Sequence, residues 1–235
     1  MRDALSDLLL GGACAACGRP GRVLCQSCAG TLPTGAHRSR PHPEPPGLPP
    51  VFAAGEYADP LRRLILVHKE QHAFALAAPL GRVLGSVIAG AVPAVAATRL
   101  PLALVPVPST SAATRRRGHD PVLRMARVAA RTLTEPGRPA FVARLLRVAQ
   151  PIADQAGLDA AARAANLAGR LAVRGSAHRA LARRGGPALV LLCDDVLTTG
   201  ATLGEAQRAL SAVGLGAAAA GTLAATVRQH PPKVL

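Results

Sequence analysis

The stretch "LVLLCDDVLTTGAT", residues 189–202, decides the fold. Leu189, Val190, Leu191 and Leu192 are apolar in succession, so both faces of the segment need cover, as in a central parallel strand between two layers of helices. Asp194 and Asp195 follow at its C-terminal end, and a small, hydroxyl-rich turn follows them. In open α/β sheets that edge forms the crevice where ligands bind, because the next helix points its N-terminus into it. Cys193, inside the strand, reads as an inert core side chain.

Strand and helix signals alternate outward from this stretch. "VFAAGEY" (51–57) and "LALVPVPST" (102–110) read as strands, the second ended by Pro106 and Pro108, which cannot donate ladder hydrogen bonds. "PLRRLILVHKEQ" (60–71), "AFALAAPLGRVLGSVIAGAV" (73–92), "VLRMARVAARTL" (122–133) and "LGEAQRALSAV" (203–213) read as helices, the first entered through Pro60. Between them, "SAATRRRGHDP" (111–121) reads as a loop, "FVARLLRV" (141–148) as one extended segment, "GLDAAARAAN" (157–166) as a short helix and "GRLAVR" (169–174) as a strand. "AAAAGTLAATV" (217–227) is a last apolar segment. The alternation predicts an α/β fold with a parallel sheet and right-handed crossovers.

With 235 residues, 49% of them hydrophobic, the chain has room for one α/β domain and a small appendage. No run approaches the roughly 18 apolar residues of a membrane span. Asp3 and Asp7 interrupt the apolar region that a signal peptide needs, and they also argue against a lipid anchor on Cys14. The expected location is the cytoplasm, without membrane insertion. A balance of 28 basic to 13 acidic residues gives +15, which favours phosphate-bearing partners. Wealth in Ala, Arg, Gly and Pro, the residues of GC-rich codons, accounts for part of that charge. With only Tyr57, Phe52, Phe74 and Phe141, the chain offers few platforms for stacking single-stranded bases.

"CAACGRPGRVLCQSC" holds Cys14, Cys17, Cys25 and Cys28 as two CxxC pairs seven residues apart. Four thiolates in this spacing suit a structural Zn²⁺, which would fold a segment too small for its own core; a cytoplasmic chain disfavours the alternative of two disulfides. "PTGAHRSRPHPEPPGLPP" (33–50) carries seven prolines and reads as a stiff linker in which His37 and His42 are solvated. The expected organisation is therefore a zinc module over 1–32, a linker over 33–50 and an α/β domain over 51–235.

An apolar strand ending in Asp-Asp occurs in P-loop NTPases, but those require GxxxxGK[ST], and neither Lys69 nor Lys233 sits in such a loop. The turn Thr198, Thr199, Gly200, Ala201 and Thr202 suits a monophosphate instead: small residues let backbone N–H groups converge, and the following helix adds its positive end. Asp194 and Asp195 are then placed to accept hydrogen bonds from vicinal hydroxyls of the sugar bearing that phosphate. Ribose 5-phosphate fits.

These residues resemble the signature of type I phosphoribosyltransferases, which bind phosphoribosyl pyrophosphate (PRPP) with Mg²⁺. Together with the CxxC pairs, "LVPVPST", "RRRGHD" and "QPIADQAGLDAAARAANLAGRL", pieces that cover most of the chain from Cys14 onward, they make it similar to the ComF family, associated with DNA uptake in competent bacteria. The family usually reads Arg-Gly-Phe-Asn where this chain has Arg117-Gly118-His119-Asp120, and its glutamine and asparagine segment is here Gln155 and Asn166 in an alanine-rich setting. The resemblance implies a type I phosphoribosyltransferase-like parallel sheet flanked by helices, with a small amino-terminal zinc-binding module. It further implies that Asp194 and Asp195 hold the ribose hydroxyls and Thr198 to Thr202 the 5-phosphate. The bend Val107, Pro108, Ser109 and Thr110 would meet pyrophosphate, and Lys69 would contact a phosphate.

As an enzyme, the chain is expected to be a glycosyltransferase that displaces pyrophosphate at C1 of the ribose, with the aspartates stabilising the cationic sugar and Arg116 and Arg117 the departing charge. Nothing in the sequence identifies the acceptor. A PRPP site also suits a sensor without turnover. The alternative is a nucleic-acid-binding or DNA-processing accessory factor, with single-stranded DNA or competence proteins as partners and the PRPP site regulatory or vestigial; a plainer one is an interaction module.

Overall fold

The computed structural model describes residues 12–97, 99–134, 139–150 and 168–226. The helix expected over 157–166 lies outside them, as do Gln155 and Asn166.

The main sheet runs in the order β1 (His37–Ser39), β2 (Val51–Glu56), β9 (Ala219–Ala225), β7 (Leu189–Cys193), β3 (Leu102–Pro106), β4 (Ala140–Val142), with β8 (Val196–Leu197) pairing further along β9. Every pairing is parallel except β1 with β2. This is the mostly parallel α/β sheet expected from the alternation. β7 lies between β9 and β3, as its unbroken apolar run requires: Leu191 and Cys193 enter the core on one face, Val190 and Leu192 the core on the other.

The first face is covered by α2 (Leu61–Glu70), α3 (Ala77–Val95) and α5 (Pro121–Leu133), through residues such as Leu64, Leu84, Ile88 and Met125. α3 and α5 pack closely because Gly81 and Gly85 offer no side chain; a Cβ at Gly81 would lie 2.5 Å from Cβ of Val128. The apolar stretch Phe74–Val95 is long and apolar enough to cross a membrane, contrary to the reading that no run approaches a span. Most of its apolar window is buried within the molecule, as a core helix requires. The second face is covered by α7 (Ala201–Ser211) and by an antiparallel hairpin of β5 (Leu146–Val148) and β6 (Leu171–Val173).

Several elements escaped the sequence reading. Ser111–Arg117, expected as loop, is a helix, α4, capped by the Thr110 hydroxyl at its start and by left-handed Gly118 at its end. The segment 141–148 is not continuous: it ends β4, turns, and begins β5. Gly175–Ala182 forms a further helix, α6. In the proline-rich stretch, His37–Ser39 forms the edge strand β1. The cysteine segment carries a short helix, α1 (Gln26–Gly30), and Ala15 joins the main core, with Val23, Leu24 and Leu32 packed against it.

Candidate functional site

The site is built where β7 ends. Pro106 of β3 lies level with Cys193, and the Val107 N–H donates to the Cys193 carbonyl at 2.9 Å, which sets the Val107–Thr110 bend one strand away from Asp194 and Asp195. On the other side, the Asp194 N–H donates to Gly221 of β9 at 3.1 Å. The aspartate pair and the proline bend thus share one edge of the sheet.

Both oxygens of Asp195 are engaged. Oδ1 accepts from the Val196 N–H at 2.9 Å, and Oδ2 accepts from Lys69 Nζ at 2.5 Å, from the last turn of α2. Burial opposes the Lys69 charge, but attraction to Asp195 and their hydrogen bond outweigh it and hold its pKa above the ordinary lysine value. Asp194 caps the Asp195 N–H with Oδ1 at 2.8 Å. Burial and the neighbouring Asp195 charge push the Asp194 carboxyl up to about 8, against the pull of Lys69. Lys69 sets a positive charge against this pair of carboxyls.

Lys69, expected at a phosphate, thus holds a carboxylate. The next residue, Glu70, does the same work for the arginines: Arg117 binds it through Nη2 at 2.6 Å and Nε at 3.1 Å, and Arg116 Nη2 stands 3.5 Å away. Burial raises the Glu70 carboxyl, and the hydrogen bond and charge of Arg117, with help from Arg116, bring it below the ordinary glutamate value. The Arg117 side chain is largely covered at 11% exposure, whereas Arg116 is open at 70%. The sequence reading missed Glu70; its signal was adjacency to Lys69, which puts two consecutive residues of one helix end against two parts of one site.

His119 fastens the arginine turn to α2. Its Nδ1 lies 2.9 Å from the Arg117 carbonyl and its Nε2 lies 3.1 Å from the His68 carbonyl, and the ring is buried. Asp120 caps α5, its Oδ1 accepting from the Leu123 N–H at 3.0 Å. His119 and Asp120 thus both have local structural work.

In the turn, Gly200 takes φ 75 at the N-cap of α7. This left-handed conformation is one that a branched side chain resists. The position is also covered: a Cβ there would lie 3.0 Å from Pro41 Cγ and 3.2 Å from Leu48 Cδ2. The proline-rich stretch therefore rests against the turn. Thr199 Oγ1 accepts from the Ala201 N–H at 3.4 Å, Thr198 is exposed, and Thr202 lies in the first turn of α7. In the bend, Thr110 Oγ1 accepts from the Ala113 N–H at 3.1 Å, while Pro108 and Ser109 are half-buried.

The sulfurs of Cys14, Cys17, Cys25 and Cys28 all lie within 4.8 Å of one another, with Cys17 and Cys25 at 3.8 Å. Four sulfurs about 2.3 Å from one tetrahedral ion would be about 3.8 Å apart, so the donor set fits a soft divalent metal. N–H groups of Cys25 and Cys28 point at Cys14 and Cys25 sulfurs. Burial works against a Cys14 thiolate, yet hydrogen bonds from the backbone of Cys25, Cys17 and Ala16 bring its pKa down to about 6. Cys193 is fully buried, and burial raises its thiol pKa, as a core residue requires. Neither the family models nor the curated proteins compared with the chain give a match.

Proposed function

We propose that the chain is a PRPP-binding phosphoribosyltransferase-like protein of the ComF type, linked to DNA uptake. The observation that carries this reading is the shared sheet edge: two adjacent carboxylates, a turn opening α7 through a left-handed glycine, and a proline bend one strand away. In it, Asp194 and Asp195 engage the vicinal ribose hydroxyls, and N–H groups of Thr199 to Thr202 engage the 5-phosphate. Ser109 and Thr110 face the pyrophosphate end. Lys69 holds the Asp195 carboxyl on the sugar's face, so that positive charge growing at C1 meets a fixed acidic group. The bond from C1 to the pyrophosphate oxygen breaks with its electron pair leaving on pyrophosphate, and an acceptor lone pair forms the new bond. Mg²⁺ would supply charge neutralisation on the pyrophosphate, and Zn²⁺ on the four cysteines would serve folding alone. Calorimetric titration with PRPP and Mg²⁺ tests binding; pyrophosphate release over a panel of bases and nucleic acids tests turnover.

One observation also favours the nucleic-acid reading. Residues 139–150 and 168–193 contain seven arginines and no aspartate or glutamate. Arg147, Arg179 and Arg183 are exposed there. Oligonucleotide binding that falls steeply with salt would support this reading; absence of binding at low salt would remove it.

A further inference from the structure

A cavity of about 290 Å³ opens between the proline bend, α4, the start of α5 and the β5–β6 hairpin. Arg115, Arg144 and Arg174 come to it from three different segments, and Pro106, Leu123 and Leu146 give it an apolar lining. Elsewhere the arginines that approach carboxylates are paired: Arg116 and Arg117 share Glu70, Arg208 pairs with Glu205 and Arg62 with Asp59. Among the described residues, none of the three cavity arginines lies within ion-pair distance of a carboxylate. Asp120 lines the same cavity, but one of its oxygens already caps α5. Among the described residues the cavity is lined by three arginines and one aspartate, a positive excess that a bound anion would balance. Arg174 is also held in place, its Nε donating to the Leu146 carbonyl at 3.2 Å.

We propose that this cavity binds a small organic acid, its acidic group on the arginines and its apolar or planar body against Leu123, Leu146 and the prolines. Guanidinium groups match the planar, bidentate geometry of a carboxylate. A bare inorganic anion satisfies the arginines but leaves the apolar lining without a partner, and an extended polyanion does not fit so small a volume. The cavity shares Pro108 and Ser109 with the bend that the PRPP reading gives to pyrophosphate, and the Pro106–Cys193 register brings its occupant beside whatever the aspartate pair holds; anion binding by the arginines does not itself need PRPP to bind.

Calorimetric titration of the full chain with benzoate, acetate and pyrophosphate tests it. Benzoate saturates one site, and acetate, which lacks the ring, binds about tenfold more weakly or worse. Arg144→Ala and Arg115→Ala, on different elements, each weaken benzoate binding about tenfold or more; Arg174→Ala does the same where the hairpin stays folded by circular dichroism. Arg147→Ala, on the hairpin but outside the cavity, leaves it unchanged. The Asp194→Asn/Asp195→Asn double variant keeps benzoate binding whether or not PRPP binding survives, which separates this site from the proposed function. Absence of benzoate saturation, equal losses in all arginine variants including Arg147→Ala, or tighter pyrophosphate binding with the same arginine dependence would each overturn the proposal.

Discussion

Lys69 Nζ stands 2.5 Å from Asp195 Oδ2, across 126 residues of sequence, and joins the last turn of α2 to the end of β7. Asp195 is 8% exposed and Lys69 about one-third, so removing the lysine leaves a carboxylate in a covered place. Lys69→Met should cost about 1–3 kcal/mol in urea unfolding. Adding Asp195→Asn to it should recover part of that loss, because the double variant leaves no unpaired charge. A double variant less stable than Lys69→Met alone would contradict the pairing.

Asp194 titrates in the opposite sense from a paired carboxylate. Its folded pKa of about 8 lies above the ordinary 3.8. Between those values the unfolded chain has released the proton while the folded chain retains it. This group's contribution to stability therefore declines as pH rises through that window and levels off above it. Asp194→Asn should flatten that decline and raise the neutral-pH melting temperature, by about 2–4 °C for each kcal/mol recovered. Melting curves from about pH 4 to about pH 9 check both effects.

Arg116 and Arg117 should behave differently although they are adjacent. Arg117→Ala removes the bidentate partner of Glu70 and should act mainly on stability. Arg116 is exposed and more weakly tied, so Arg116→Ala should weaken PRPP more than ribose 5-phosphate, since only PRPP carries pyrophosphate. Titrating both variants with both ligands decides it. Equal losses for the two ligands in Arg116→Ala would give that residue a structural role.

Elemental analysis should find about one zinc per chain. Because Ala15, Val23, Leu24 and Leu32 join the main core and Pro41 rests on Gly200, removing the metal should lower one cooperative melting transition rather than release a separate module. Two resolved transitions would contradict that coupling. The contacts at Gly200 also make Gly200→Val an ambiguous probe of phosphate binding, since valine would meet Pro41 and Leu48 first.

The elements legible in the sequence are those whose burial is written in consecutive or periodic apolar residues: β2, β3, β7, β9, α2, α3, α5 and α7. α4 was not legible because "SAATRRR" has no apolar stripe; caps at Thr110 and Gly118 and the ion pairs from Glu70 to Arg116 and Arg117 hold it. α6 is similarly weak in pattern, with no buried residue. The proline-rich stretch reads as linker by composition, yet it finds partners in β2 and in the glycine of the turn. At the site, the aspartates and the turn could be located from strand and turn chemistry, but Glu70 and the bridging ring of His119 depend on contacts 47 and 51 residues away in sequence. No local pattern carries such pairings.

The most direct test of the PRPP reading is calorimetric titration of the wild-type chain and the Asp194→Asn/Asp195→Asn variant with PRPP in the presence of Mg²⁺. A hydrogen bond to a charged group contributes about 1.5–3 kcal/mol, so the double variant, with its fold verified by circular dichroism, should bind PRPP weaker by a factor of about tens or more. Equal affinity in the two proteins, or no binding by the wild type, would contradict the assignment of this sheet edge as a phosphoribosyl site.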